Sequence, residues 1–425
     1  MTSNDVDVLA GWAGSGLAAL TGSAAGPPAI GPGDPFGLVA DGLAMIADAA
    51  QRRTGVAPAL PGPRLLTERA AMLGLRRQAP SSAGGAFRVV AVRDGHLGLS
   101  LARPSDVELL PALTESAAMA EWVAGQPDLE RCWRALADWG AGIGLTEAVE
   151  RARMLGLPVA AVPASGVVAE PPPAREVTEV GRGEVVERPL VLDFSSLWAG
   201  PLCADLLRRI GARVIKVEAS NRPDGARRGS APFFDLLNAG KEMLAVDFAS
   251  TEGREILAGW VARADLVIEA SRPRALAGLG IDADQAAARG TRWLSITAYG
   301  RASDAVGFGD DVVAVDAGLL IRDADGVPAP VGDAIADPLT GVRAAAVAAE
   351  ALTQERTTVQ EVSLWSCARA ALERAPQAPE HLVRRTDGDW WIEGADTPLR
   401  IEDPQPRQGD GVAGALGADT ARLLR

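Results

Sequence analysis

The feature that most constrains this chain is a strand–helix alternation beginning near residue 190. Leu190–Phe194 is a short apolar run, Gly200-Pro201 opens an apolar helix over Leu202–Ile210, and Gly211 ends it before a second run, Ala212–Val217. Met243–Phe248, Asp265–Glu269 and Trp293–Thr297 are further apolar runs. Between the first two of these, Thr251 to Ala262 is helical in pattern, with Ser250 or Thr251 as N-cap. Runs that are mainly apolar, rather than alternating, suit strands covered on both faces. Strands separated by helices predict a parallel sheet with right-handed crossovers, an α/β Rossmann-like arrangement.

The rest of the chain divides around that core. The stretch VAEPPPAREVTEVGRGEVVERP, rich in Pro, Glu and Arg, reads as a linker over 166–189. Phe87–Val92 and His96–Leu101, joined by Asp94-Gly95, form a hairpin pair; helical stretches and the apolar Val159–Val162 follow. Residues 56–165 are therefore expected to form a second, smaller α+β domain. An internal repeat is also present. Asp34-Pro35-Phe36-Gly37-Leu38 returns as Asp337-Pro338-Leu339-Thr340-Gly341, and Gln51-Arg52-Arg53-Thr54 returns as Gln354-Glu355-Arg356-Thr357 at the same offset. Ser15-Gly16-Leu17 returns as Ala317-Gly318-Leu319 one residue out of step. Coincidence among alanine-rich helices is the plainer reading, but the constant offset favours duplication. Residues 1–55 then form a partial repeat of a large domain at 190–370, and 371–425 form a C-terminal tail. Trp390-Trp391 in that tail reads as a hairpin strand on the core, or alternatively as an aromatic lid.

Composition narrows the partners. The chain carries a formal net charge of −13 and a pI near 4.8, which argues against nucleic acid or an anionic membrane as its main partner. No long apolar run marks a membrane span, and the N-terminal residues lack the basic and apolar regions of a secretory signal. The three cysteines, Cys132, Cys203 and Cys367, are far apart, so neither a disulfide framework nor a metal site is expected, and a cytoplasmic location is.

Short motifs stand in a fixed order from Val191 to Cys367. They begin with VLDFSSLWAGPLCADLLRRIGARVIKVEA and continue with Asn238 and Lys241, Val246-Asp247 and Thr251-Glu252-Gly253-Arg254. Ala264–Glu269, Arg272-Pro273, Leu279-Gly280, Ile296–Gly300, Val331–Gly341 and Glu361–Leu364 complete the set. In order and spacing they resemble the family III CoA-transferases, the group of formyl-CoA transferase and carnitine CoA-transferase. Residues 12–22 and 148–162 resemble later parts of the same family, so the chain looks like a rearranged, partly duplicated member. The family forms interlocked ring dimers. A homodimer is one expectation; a chain that itself supplies parts two chains usually share is the other.

The resemblance implies transfer of coenzyme A, as a substrate, between an acyl-CoA and a carboxylic acid. A carboxylate attacks the thioester, and an aspartyl-CoA thioester forms by way of a mixed anhydride. Counting back from Gly318 in Gly309–Gly318 places Asp311 at the family's nucleophile position. The equivalent residue in the first repeat is Val8. The alternative is that Asp310 or Asp311 merely caps the helix. For the cofactor's phosphates and adenine, the resemblance implies Trp198, Ala199, Arg222, Arg227, Arg228 and Lys241, each of which also reads as core or solvated surface. Ala219, Ala270 and Gly278 stand where the family usually has polar or aromatic contacts. These losses support a second reading, a repurposed non-catalytic homologue or partner subunit. A third, a 2-methylacyl-CoA racemase-like enzyme, would use Asp333 and lacks the histidine of that group, Asp310 standing there. Asp337, just before Pro338, reads as the N-cap of the following helix.

Overall fold

The computed structural model describes residues 2–125, 128–162, 179–271, 274–308, 311–323, 325–394 and 397–425. Thr2 caps the first helix reciprocally: its hydroxyl accepts the Asp5 N–H, and the Asp5 carboxylate accepts the Thr2 N–H. Helix α1 (Ser3–Gly14) follows. Asp34 caps α2 (Pro35–Thr54) at the Gly37 N–H, with Pro35 in the first helical position. After the short α3 (Glu68–Leu73) comes the hairpin of β1 (Phe87–Val92) and β2 (Gly95–Ser100). Its two-residue turn is Arg93-Asp94, because Gly95 already pairs with Val92. Gly95 answers packing: a Cβ there would lie 3.0 Å from Leu145 Cδ2. Helices α4 (Leu129–Gly140) and α5 (Leu145–Met154) pack beside the hairpin, and β3 (Val159–Ala161) joins β2 antiparallel. Trp133, Leu136, Cys132, Leu97 and Ala148 form a separate buried cluster there.

The stretch expected to be a linker is partly strand. Residues 163–178 lie outside the described residues, but β4 (Glu179–Arg182) pairs antiparallel along an edge of the main sheet. Gly181 allows this, since a Cβ there would stand 2.6 Å from the Ala287 carbonyl. The remaining six strands are mutually parallel: β5 (Leu190–Asp193), β6 (Arg213–Ala219), β7 (Glu242–Val246), β8 (Leu266–Glu269), β9 (Arg292–Thr297) and, further on, Arg356–Ser363. Between them lie α6 (Ala199–Arg209), α7 (Ala231–Asn238) and α8 (Thr251–Val261), the last capped by Ser250. After β9 come α9 (Asp311–Asp316), a ribbon of β10 (Leu320–Arg322) and β11 (Pro328–Pro330), and α10 (Ala336–Ala351). The strand Arg356–Ser363, β12, leads into α11 (Leu364–Arg374). The strand order is β4-β12-β9-β8-β5-β6-β7. This is a Rossmann-like α/β sheet with one antiparallel edge.

Helix α10 is the centre of the packing. Twelve of its residues are buried, most of them alanine, so neighbours approach closely on several sides. A Cβ on Gly341 would sit 2.8 Å from the Ala199 carbonyl of α6, and one on Gly42 of α2 would sit 2.6 Å from Val342 Cγ1. Arg52 pairs with Glu350 one end further along, so α2 and α10 lie side by side in the same direction. Beyond α11, β13 (Leu382–Thr386), β14 (Asp389–Glu393) and β15 (Leu399–Arg400) form a small antiparallel sheet. Trp390 packs half-buried on the main core, with Ile392 fully buried beside it. Residues 402–425 then run back over the molecule to the edge of β7, where Asp419 and Thr420 accept the Met243 and Ala245 N–H groups. Among the described residues no helix is long and apolar enough to cross a membrane.

Candidate active site

The strand order reverses between β5 and β8: from β5 the chain proceeds outward to β6 on one side, and β8 lies on the other. In open parallel sheets, ligands bind in the crevice beyond the carboxyl ends at such a point. Here β5 ends in Asp193 and β8 in Glu269, both buried. Asp193 Oδ1 accepts the Ser195 N–H at 3.0 Å and also the Ser195 hydroxyl, while Oδ2 accepts Lys241 Nζ at 2.9 Å. Lys241 gives its other two protons to the Pro201 carbonyl and Asn238 Oδ1, each at 3.0 Å. Lys216 bonds the Ser195 carbonyl at 3.0 Å and pairs with Asp224 at 2.9 Å. Two ammonium groups thus balance two carboxylates inside the protein. Burial works against the charge of Asp193, but Lys241, Lys216 and the Ser195 hydroxyl outweigh it and hold the carboxyl below its usual range. For Lys241 burial prevails over Asp193 and lowers its pKa.

The loop from Ser195 to Trp198 is tied down by its neighbours. Leu197 has φ +69°, a left-handed conformation costly for a side chain of its size, and its N–H is held at 3.1 Å by Asp224. Trp198 is buried, meets Phe233 edge-on with centroids 5.2 Å apart, and lies under the Arg69 guanidinium at 5.6 Å. Arg69 comes from α3, far away in sequence, and bonds both oxygens of Asp333 at 2.9 and 3.0 Å. Burial pushes the Asp333 carboxyl up, and Arg69 opposes it. Asp337 does not cap its own helix, which begins one residue earlier at Ala336. Its Oδ1 instead accepts the Ala199 N–H at 3.3 Å, at the positive end of α6. On the other side of the crevice, Glu269 accepts the Ser295 hydroxyl at 2.6 Å and Arg301 Nη1 at 2.7 Å. Glu361 takes the Arg301 N–H and the Thr297 hydroxyl.

The residues proposed for cofactor contact gather around this crevice in different states. Trp198 and Ala199 form the loop-to-helix junction. Arg222, Arg227 and Arg228 share the loop after β6, which Asp224 fastens to Leu197. Arg222 and Arg228 are exposed. Arg227 is engaged: it holds Glu218 through Nε at 2.9 Å and Nη2 at 2.6 Å, stacks 4.5 Å over Phe234, and donates to the Gly414 carbonyl. Lys241 is fully buried with all three donors used, so in this arrangement it offers none to a phosphate. Asp311 is the first residue of α9, and its side chain lies outside the described residues, as do Gly309, Asp310 and the motif Arg272-Pro273. Helix α9 packs against β2, β3, β11, α10 and α11. Through β11 it adjoins the loop that carries Asp333. At its other end, burial pushes Asp316 up to about 6, against Arg153 and a hydrogen bond from Trp365. Sequence reasoning missed Arg69, which belongs to no motif. It also missed Asp193 and Glu269, whose signal was an acidic residue closing an apolar strand.

Fold and crevice define a doubly wound α/β protein with a switch-point crevice beyond the carboxyl ends of β5 and β8. Residues 189–385 match CoA-transferase family III. A probable fatty acyl-CoA transferase of Mycobacterium tuberculosis is 34% identical over 200 residues, covering 40% of this chain and 48% of the relative. Succinyl-CoA–D-citramalate CoA-transferase of Chloroflexus aurantiacus is 27% identical over 241 residues, covering 48% of this chain and 60% of the relative. A crystal structure of a Mycobacterium tuberculosis protein superposes with a TM-score of 0.40 at 28% identity, covering 45% of this chain and 57% of that one. The chain thus spans about half the length of the curated relatives it matches.

Proposed function

We propose that this protein transfers coenzyme A between an acyl-CoA and a carboxylic acid, with Asp311 as the covalent nucleophile. The observation that carries the reading is that the segment matching the family also holds the switch-point crevice. Trp198, Ala199 and the arginine loop 222–228 converge there on the ends of β5 and β6. Asp311 attacks the thioester carbonyl and releases CoA thiolate, leaving a mixed anhydride. The thiolate attacks the aspartyl carbonyl, which frees the donor acid and leaves an aspartyl thioester. An incoming carboxylate reverses both steps. Arg222 and Arg228 supply the exposed positive charge for phosphates. The N-terminal residues 1–55 then act as a partial repeat whose helix α2 pairs with its counterpart α10. The units at 56–165 and 190–370 make up the two domains.

A second reading, a non-catalytic homologue, is favoured by one observation. Lys241, Arg227 and Arg301 are neutralised internally by Asp193, Glu218 and Glu269. The experiment that decides is intact-mass analysis after incubation with an acyl-CoA. Transfer predicts a covalent increment of one CoA less one water, absent from Asp311→Asn and discharged by added carboxylate. No increment with succinyl-, formyl- or fatty acyl-CoA, together with no exchange of label into free acid, would leave the non-catalytic reading standing.

A further inference from the structure

At the far end of α6 from the crevice lies a second cluster of buried charge. Asp205, fully buried on α6, takes Arg208 Nη2 at 2.8 Å, Arg209 Nε at 2.9 Å and Arg407 Nη2 at 3.1 Å. Arg407, 10% exposed, comes from the C-terminal tail; its Nε lies 3.2 Å from Oε2 of Glu68, which is wholly buried at the start of α3. Asp410 completes the group by pairing with Arg208 and Arg209. Three carboxylates therefore meet three guanidinium groups, yet the network is not closed. Arg407 Nη1 and Glu68 Oε1 are both buried and have no hydrogen-bond partner among the described residues. A buried donor left unmade costs more than an ordinary hydrogen bond gains. Burial also pushes Glu68 up to about 7, against Arg407 and Arg209 and with Asp205 adding to the rise.

Arg407 is also a wall of a cleft of about 490 Å³ between α1, the loop 61–65 and the tail. Ala10, Phe36, Pro63 and Leu65 make the other walls mainly apolar, and Arg64 stands at the rim, bonded to Gln405 at 3.0 Å. The volume is in the range of small-molecule sites, and such sites pair apolar walls with a few polar groups. A carboxylate in the cleft would lie against the positive charge of Arg407. With Glu68 protonated, the cluster carries one positive charge in excess, which an anion would cancel.

We propose that this cleft is a second binding site, separate from the switch-point crevice, for a small organic carboxylate with an apolar body. The carboxylate meets Arg407 and the body lies along Ala10, Phe36 and Leu65. Calorimetry and ligand-observed saturation-transfer NMR on the full chain, with hexanoate, benzoate and acetate as probes, test it. Hexanoate or benzoate should saturate, and acetate, lacking the apolar body, should bind about tenfold more weakly. Affinity should rise from pH 8 to pH 6, where the probes remain ionised and Glu68 gains its proton, and Glu68→Gln should flatten that dependence. Arg407→Gln should weaken binding about tenfold or more, the loss of a charge-assisted contact. Should that variant fail to fold, Ala10→Trp, which fills the cleft and leaves the charge cluster intact, decides the matter by abolishing binding. No saturation at pH 6, or undiminished binding to Ala10→Trp, overturns the proposal.

Discussion

Replacing Lys241 by methionine separates a strut from a ligand. In the folded protein the ammonium serves three acceptors at once: Asp193 Oδ2, the Pro201 carbonyl and Asn238 Oδ1. Methionine keeps the length and removes all three donors. Each buried acceptor left alone costs about 1–3 kcal/mol. Asp193 retains Ser195 and the nearby Lys216, which offsets part of its share. The expected loss is therefore about 3–5 kcal/mol, the usual cost of removing one partner from a buried ion pair. Asp193→Asn combined with Lys241→Met leaves Lys216 and Asp224 as a balanced pair. The double variant should lose less than the sum of the singles, with a coupling of about 1–3 kcal/mol. Urea unfolding followed by far-UV circular dichroism at pH 7 measures all four corners of the cycle. Asp193 has a depressed pKa in the fold, so its contribution is present above the ordinary carboxylate range and fades as pH falls below it; Lys241→Met should move that acid loss to higher pH. A Lys241→Met protein within about 1 kcal/mol of the parent, or a cycle that simply adds, would refute the strut reasoning. If such a variant also bound CoA poorly, the lysine would be returned to the cofactor.

Three further outcomes follow from the packing. Glu68 titrates near 7 in the fold against an ordinary 4.5, so its favourable term is full below that ordinary value and disappears as pH rises through 7. Glu68→Gln should therefore gain about 3 kcal/mol over the parent at pH 8, read from denaturation curves at pH 5 and pH 8. Gly42→Ala places a methyl against Val342, so thermal unfolding should report a loss of about 1–3 kcal/mol from the α2–α10 contact, while an unchanged melting temperature would show that these helices slide freely. Gly200→Ala sets a Cβ 2.1 Å from the Ser195 side chain. It should displace the switch-point loop and lower Trp198 burial, visible as a red shift in tryptophan emission.

The sheet was readable where its parallel strands are largely apolar runs; β5, β8 and β9 stand within a residue or two of their expected bounds. The edge strand β4 was not, since Glu179–Arg182 has no apolar signature and exists only because β12 offers it an edge. The site shows the same division. Trp198 and Ala199 follow a strand and open a helix, a local pattern that can be read. The partner of Lys241 is set by how β5 meets α7, and Arg69 reaches Trp198 across the fold, which no spacing encodes. Asp337 misled for a related reason: Pro338 marks a helix start, but α6 claims the carboxylate. The side chain of Asp311 lies outside the described residues, so its position rests on the family register alone.

The tail gives the chain an order of completion. Residues 402–425 follow every strand of the main sheet in synthesis, yet they cover the backbone of β7, anchor α7 through Asp235 and Ala413, and supply Arg407 to Glu68 and Asp205. Until they arrive, the β7 edge stands open to another strand, and Glu68 of α3 lacks Arg407 while Asp205 keeps only Arg208 and Arg209 of its own helix. A nascent chain stalled anywhere before Arg407 would thus hold the strands of the main sheet with the β7 edge unsealed. Closure of the β7 edge therefore waits for Asp419 and Thr420, which follow Met243 and Ala245 by 176 and 175 residues.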